Sequence, residues 1–187
     1  MFDTRNTWLV TVVLSFMGGY CDIVTFITAN ELFSAHVTGN FIVFAYDLVH
    51  GSDVLAWTKL LAFPVFVVSV MVGGWIAETT SHRYLLLFIE GILLLIAGLL
   101  AFTFKNLLGN NFVLYGIAML IVFALGLQNA FGRIYSKETH GPTTMMTGNV
   151  TQASLDVGTL FRNKFQNAQA LASLKKQLVT TGGFLIY

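Results

Sequence analysis

Two carboxylic acids, Asp22 and Glu90, lie within long apolar stretches of the 187-residue sequence. Burying a carboxylate in apolar surroundings is costly, so an acid in such a place is expected to bind a proton, coordinate a cation or accept hydrogen bonds. For Asp22 we predict that it carries a coupling proton or coordinates a cation, with a purely structural hydrogen-bonding role as the alternative. For Glu90 a structural hydrogen bond is the favoured prediction, and a place in a binding site is the alternative.

The tripeptide Thr-Gly-Asn occurs twice, at residues 38–40 and 147–149, each time before a short helical stretch. Thr and Asn are common N-cap residues, and glycine lets a backbone or a ligand approach closely. A short helix that begins within the membrane would direct its free N–H groups and positive dipole end into the protein, as the discontinuous helices of transporters do. We therefore predict either one central site lined by both motifs or a tight helix crossing in which the motifs only satisfy backbone groups.

The two motifs are part of an internal repeat. At the spacing that relates them, and at a spacing two residues shorter upstream, other special residues correspond as well: Asp47 to Asp156, Gly73 and Gly74 to Gly182 and Gly183, Gly19 to Gly126, Asp22 to Asn129, and Glu31 to Glu138. The sequence therefore predicts a tandem duplication within a single membrane domain of residues 1–187, with repeat one at about 8–104 and repeat two at about 112–187. The counterpart of the last helix of repeat one would lie beyond residue 187, so we expect the sequence to be a fragment. Asp47 and Asp156 would lie at the far ends of the short helices, where we expect solvated carboxylates.

The composition defines the environment of these motifs. Hydrophobic residues make up 56% of the sequence and charged residues only 10%, and the mean hydropathy is +0.74. Soluble domains carry about 25% charged residues, so this composition indicates an integral membrane protein whose partner is the lipid bilayer. A net charge of +1 excludes a basic surface for nucleic acid, and a single cysteine excludes a disulfide framework or a multi-cysteine metal site.

Four apolar stretches, at residues 8–28, 57–77, 84–104 and 112–131, reach the roughly 20 residues that a membrane-crossing helix needs. A fifth candidate runs from about 166 to 187, with Lys175 and Lys176 snorkelling toward the membrane surface. An alternative for the first stretch, a signal peptide, lacks a basic region beyond Arg5 and a clear cleavage site. The sequence thus predicts an all-α, polytopic transmembrane helix bundle built from two repeats, each with a short broken or re-entrant helix that starts at Thr-Gly-Asn.

The topology of the repeats depends on those short helices. If they re-enter the membrane, the two halves are inverted; if they cross it, the halves are parallel. With the N-terminus in the cytoplasm, the positive-inside rule slightly favours the inverted arrangement because it leaves more Lys and Arg on the cytoplasmic side.

Four motifs carry a resemblance to a known family: G-x-x-D at residues 19–22, T-G-N at 38–40, G-x-Q-N at 126–129 and T-x-M-T-G-N at 144–149. They resemble the YoaK-like family of bacterial inner-membrane proteins, a domain-of-unknown-function family, over nearly the whole chain. The resemblance implies a polytopic protein of six or seven helices, slightly longer than this chain, in a bacterial inner membrane. It implies no settled activity, substrate or catalytic residue.

These observations predict a secondary transporter or channel for a small solute, with anions among the candidates. The alternative is a non-transporting membrane scaffold or assembly subunit whose motifs only lock helix packing. An enzyme is not expected, because no nucleophile signature and no metal-ligand spacing occurs, and we predict no catalytic residue, cofactor or metal. A homo-oligomer is an open alternative to a monomer.

The candidate substrate-binding residues are the polar and glycine positions of the paired motifs. They are Asp22, Thr38, Gly39, Asn40, Gln128, Asn129, Thr147, Gly148 and Asn149, with His36 and Glu90 as secondary candidates.

Overall fold

The computed structural model describes residues 4–51, 56–107, 111–140, 143–144, 146–162 and 167–185. Within these ranges the chain forms seven α-helices and one short 3-10 helix at Lys105–Leu107, and no strand. The α-helices are α1 (Thr4–Thr28), α2 (Gly39–Val49), α3 (Ala56–Thr79), α4 (Leu85–Thr103), α5 (Asn111–Ile134), α6 (Met146–Arg162) and α7 (Ala168–Leu185). The predicted all-α class is therefore confirmed for the described part of the chain.

Four of the described helices are long and apolar enough to cross a membrane: Thr7–Thr28, Ala56–Thr79, Leu85–Thr103 and Asn111–Ile134. They match the four predicted stretches to within a few residues. The predicted fifth span corresponds to α7, which is not among the four. Lys175 and Lys176 lie in the middle of α7 and are exposed, so no sufficiently apolar window of spanning length remains.

Large apolar side chains cover the outer surface of the spanning helices. On α3 and α4 the exposed side chains include Met71, Trp75, Phe88, Leu95 and Phe102. A soluble protein rarely exposes so much contiguous apolar area, whereas apolar side chains on a membrane-spanning helix are stable in contact with lipid. These side chains are placed as expected for contact with acyl chains.

The chain divides into two compact units. Unit 1 (residues 1–20 and 135–187) contains the first part of α1 together with α6 and α7. Unit 2 (residues 21–134) contains the rest of α1 together with α2 to α5. The unit boundaries therefore fall within α1 and at the end of α5.

Helix α5 is the centre of unit 2. Both α3 and α4 pack on α5 and scarcely on each other, and α2 packs on α3. Glycines bring α3 and α5 into close approach: a Cβ at Gly126 would lie 2.6 Å from the Ser69 Cβ, and one at Gly73 would lie 2.7 Å from the Ala130 Cβ. The Ser69 hydroxyl also donates a hydrogen bond to the Phe123 carbonyl. Small residues and an interhelical hydrogen bond are the usual means by which helices associate in lipid.

In unit 1, α6 and α7 pack on each other and α7 also contacts α1. A Cβ at Gly183 would lie 3.0 Å from the Val12 carbonyl oxygen and 3.1 Å from the Ser15 Cβ. The Thr11 hydroxyl donates to the Thr7 carbonyl at 2.7 Å and accepts the His140 N–H at 2.9 Å. The Thr11 side chain of α1 thus forms a hydrogen bond with the segment between α5 and α6.

Candidate functional site

The chain reverses direction directly after α1, which brings the following loop back beside the helix. Asn30 and Glu31 have positive φ values of 49° and 61°, in the left-handed region that few residues other than glycine adopt. The Glu31 N–H donates to the Phe26 carbonyl at 2.9 Å, the six-to-one bond of a Schellman helix end. The Asn30 amide donates to the Tyr115 hydroxyl of α5 at 2.9 Å, which fixes the reversal to the core of unit 2.

Asp22, in the last two turns of α1, holds this returning loop. Its side chain is almost fully buried, and Oδ1 accepts the N–H groups of Ser34 at 2.8 Å and Ala35 at 2.5 Å. Oδ2 lies 2.5 Å from Nδ1 of His36, whose side chain is 36% exposed. The Thr25 hydroxyl donates to the Ser34 hydroxyl at 3.1 Å. Because three donors converge on Asp22, its carboxyl holds the returning loop and orients the His36 ring.

The first Thr-Gly-Asn motif closes the same loop. The Asn40 Oδ1 accepts the Phe33 N–H at 2.8 Å, and the Asn40 Nδ2 donates to the Phe33 carbonyl at 2.8 Å. Gly39 allows the Phe33 ring to approach, since a Cβ there would lie 3.0 Å from it. Thr38 occupies the N-cap position of α2 but makes no side-chain capping hydrogen bond, so the predicted capping role of its hydroxyl is wrong.

The first N–H groups of α2 also have partners within the chain. Those of Gly39 and Asn40 donate to the carbonyls of His36 at 2.8 Å and Val37 at 3.2 Å. The beginning of α2 is therefore satisfied by the tight turn that precedes it. The first motif thus orders a loop at the end of α1.

The second motif has a different local geometry and lies in unit 1. Helix α6 begins at Met146, so Thr147 and Gly148 are in its first turn and both are exposed, whereas Asn149 is buried. The Thr147 carbonyl accepts the Thr151 hydroxyl at 2.8 Å. No neighbouring atom lies within 4 Å of a Cβ at Gly148, in contrast to Gly39. The segment directly before the motif includes residues outside the described ranges.

The candidates on α5 lie in unit 2. Gln128 is fully buried, and Asn129 is half-buried with its Nδ2 3.5 Å from the Leu125 carbonyl. Within the described chain, Asn129 therefore makes fewer hydrogen bonds than Asp22, the residue that the predicted repeat pairs with it. An amide at this place has no charge to satisfy, which is consistent with its looser surroundings.

Two carboxylates that we expected to be solvated are not. Asp47 forms an ion pair with Lys59 of α3, whose side chain is only 5% exposed, while that of Asp47 is 22% exposed. Asp156 is buried, and its Oδ1 accepts the Gln152 amide at 2.9 Å. The expectation was wrong because it considered no partner within the chain: Asp47 lies in the last turn of α2 but pairs with Lys59, and Asp156 lies well before the end of α6. The position of Lys59 close to the start of an apolar stretch was the sequence feature that could have revealed the pair.

Glu90 lies in α4 with 3% of its surface exposed. Its Oε2 is buried and has no hydrogen-bond partner in the part of the chain that the structure describes. The structural hydrogen bond predicted for Glu90 is thus not found at this oxygen. The carboxyl is close enough to the Cys21 thiol of α1 for an electrostatic interaction, and so is Asp22.

His140, outside the spanning helices, is the titratable group of unit 1 with a shifted pKa. Partial burial lowers its pKa from the ordinary value of 6.5, and the positive charge of Lys176 lowers it further.

A metal centre is not indicated: across the described ranges, no three His, Cys, Asp or Glu side chains gather where they could hold an ion.

Four apolar spanning helices with lipid-facing side chains and polar residues turned inward define a multi-pass helical membrane protein. Within that class, the chain belongs to the family described as "Protein of unknown function (DUF1275)", which matches residues 10–186. No curated protein and no solved structure matches the chain.

Proposed function

We propose that the protein is a secondary transporter or channel for a small solute, with anions among the candidates, in a bacterial inner membrane with the N-terminus in the cytoplasm. The observation that carries this proposal is the Asp22–His36 pair, a buried carboxylate in a spanning helix joined to a partly exposed imidazole. Ionisable residues inside membrane helices are expensive and typically mark solute or ion pathways. Histidine is the side chain best suited to exchange a proton near neutral pH.

The short helix that follows this pair supports the same function. Helix α2 has 11 residues, about 17 Å of rise, against a hydrocarbon core of about 30 Å. A helix of this length cannot cross the membrane alone, and transporters use such interrupted helices beside their binding sites. The residues that this proposal assigns to solute binding are polar and glycine positions of the motifs: Asp22, His36, Thr38, Gly39, Asn40, Gln128, Asn129, Thr147, Gly148 and Asn149.

The internal repeat is part of the proposal, and helix packing within each unit supports it. Under the repeat, α1 corresponds to α5 and α3 to α7. In unit 2, α3 packs on α5; in unit 1, α7 packs on α1. Each third helix thus packs on the first helix of the other repeat. Paired repeats of this kind commonly build transporters whose halves rock around a shared site.

Solute flux into proteoliposomes tests the function directly. The purified protein is reconstituted and challenged with a panel of small anions and cations, with and without a pH gradient. We expect uptake of at least one solute, loss of the proton-driven part in Asp22→Asn, and slower uptake in Asn40→Ala and Asn149→Ala. Glu78→Gln is the matched control, because Glu78 is an exposed carboxylate at the end of α3. If no solute moves, or if Asp22→Asn keeps its full proton-driven flux, the proposal fails.

A membrane scaffold is the second candidate, and one observation favours it. Both polar atoms of the Asn40 amide and the first N–H groups of α2 have partners within the chain. Such complete internal hydrogen bonding is expected of a motif whose only role is to hold helices together. The two functions differ in the panel experiment: a scaffold gives no flux with the wild-type protein, while Asn40→Ala still lowers its stability.

A further inference from the structure

The two carboxyl groups buried in the spans of unit 2 have opposite surroundings. Asp22 accepts N–H groups from Ser34 and Ala35 and contacts the His36 ring. Glu90 is 3% exposed, and its buried Oε2 has no partner in the described chain. An ionised carboxylate in apolar surroundings needs several donors to replace its lost hydration; Asp22 has them, whereas the buried Glu90 Oε2 has none in the described chain.

Glu90 faces the interior of unit 2. It lies on the buried face of α4 with Leu86 and Ala97, at helical spacings of four and seven residues. Helix α4 packs mainly on α5. No other charged residue occurs in α4.

Few of the described residues on the helices near Glu90 are charged or titratable. On α1, the Cys21 thiol interacts electrostatically with Glu90, and separately with the adjacent Asp22. The charged residues of α3 and α5, which pack against α4, lie near the helix ends; they are Lys59, Glu78 and Arg133. The one further titratable group of these two helices is the phenol of Tyr115.

We propose that Glu90 is the proton-binding site of this protein and carries the proton whose movement drives solute transport. The proton joins the Glu90 carboxylate from one side of the membrane and leaves it toward the other, and no other bond changes. Asp22 is then a positioning residue that holds the loop before α2, so Asp22→Asn is expected to lower proton-driven flux while Glu90 is still labelled by carbodiimide. The driving role rests on the proposed transport function; proton binding at Glu90 does not.

Carbodiimide labelling tests proton binding without any need for transport. Dicyclohexylcarbodiimide adds to protonated carboxyl groups in apolar surroundings and spares solvated carboxylates. The full-length protein in liposomes is treated over a range of pH, and the modified residue is located by mass spectrometry. We expect the label on Glu90, faster at low pH, with complete loss in Glu90→Gln and no change in Glu78→Gln. Label on Asp22 in place of Glu90, or no label on Glu90 in the folded wild-type protein, overturns the proposal.

The nature of the ion and its role are tested separately. If Na⁺ at constant pH protects Glu90 from the label, the site binds a metal cation and the proposal of a proton is wrong. In flux measurements we expect Glu90→Gln to lose accumulation driven by a pH gradient and to retain solute exchange at equal concentrations. Full gradient-driven accumulation in Glu90→Gln contradicts the driving role. If Glu90 is labelled in a protein that moves no solute, the result supports the proton-binding site and contradicts the proposed transport function.

Discussion

Asn40 and Phe33 are joined by a pair of hydrogen bonds in which the Asn40 side-chain amide serves both polar groups of the Phe33 backbone. Oδ1 accepts the Phe33 N–H and Nδ2 donates to the Phe33 carbonyl, each at 2.8 Å. The pair closes the loop whose other anchor is Asp22. The Asn40 side chain therefore joins this loop to the first turn of α2.

Asn40→Ala is expected to destabilise the protein, because the Phe33 N–H and carbonyl lose their partners inside the membrane protein. We expect a loss of about 1 to 3 kcal/mol in the free energy of unfolding, measured by denaturant titration in detergent micelles. Thr38→Val is the control and should change the stability by less than about 0.5 kcal/mol, since the Thr38 hydroxyl makes no capping bond. Equal losses in the two variants would contradict the assigned roles.

The ion pair between Asp47 and Lys59 predicts a strong non-additivity. Asp47→Asn leaves the nearly buried Lys59 ammonium without its counter-charge, and we expect a loss of about 2 to 3 kcal/mol. The double variant Asp47→Asn, Lys59→Met removes both charges and should recover most of that loss. A double-mutant cycle in the same micelles measures the coupling, and purely additive effects would show that the pair contributes nothing.

The glycines of α3 and α5 predict a graded response to a single methyl group. Gly126→Ala and Gly73→Ala place a Cβ within 2.6 and 2.7 Å of Ser69 and Ala130, respectively, and each should cost about 1 to 3 kcal/mol in stability. Gly74→Ala is the matched control next to Gly73, because nothing lies within 4 Å of its Cβ. Thermal unfolding of the purified variants distinguishes the sites, and a Gly74→Ala protein as unstable as Gly73→Ala would contradict this packing.

The lowered pKa of His140 gives a prediction for pH. Removing the positive charge in Lys176→Gln should raise the pKa of His140 toward its ordinary value of 6.5, whereas Lys175→Gln, whose charge is not among the causes, should leave it unchanged. Selective isotope labelling of histidine followed by NMR titration measures both. Because the folded state resists protonation of His140, its stability should fall as the pH drops below about 6.5, and less steeply in Lys176→Gln. A pKa unaffected by Lys176→Gln would exclude the electrostatic cause.

The sequence alone identified the four spanning helices because about 20 consecutive apolar residues leave few alternatives in lipid. It also selected Asp22, whose charge is conspicuous in such a stretch. The partners of Asp22 could not be predicted, because they depend on a chain reversal at Asn30 and Glu31. Glutamate rarely adopts a positive φ, so its residue type does not indicate this conformation. The proximity of Cys21 to Glu90 likewise arises from helix packing that no local pattern encodes.

The central place of α5 in unit 2 has a consequence for the synthesis of the protein. Helices α3 and α4 enter the membrane before α5 exists, and they scarcely contact each other. Until Asn111–Ile134 has been inserted, the close-packing surface at Ser69 and Gly73 lacks the neighbour against which it packs in the finished unit. Assembly of unit 2 therefore requires α5, the last of its helices to be synthesised.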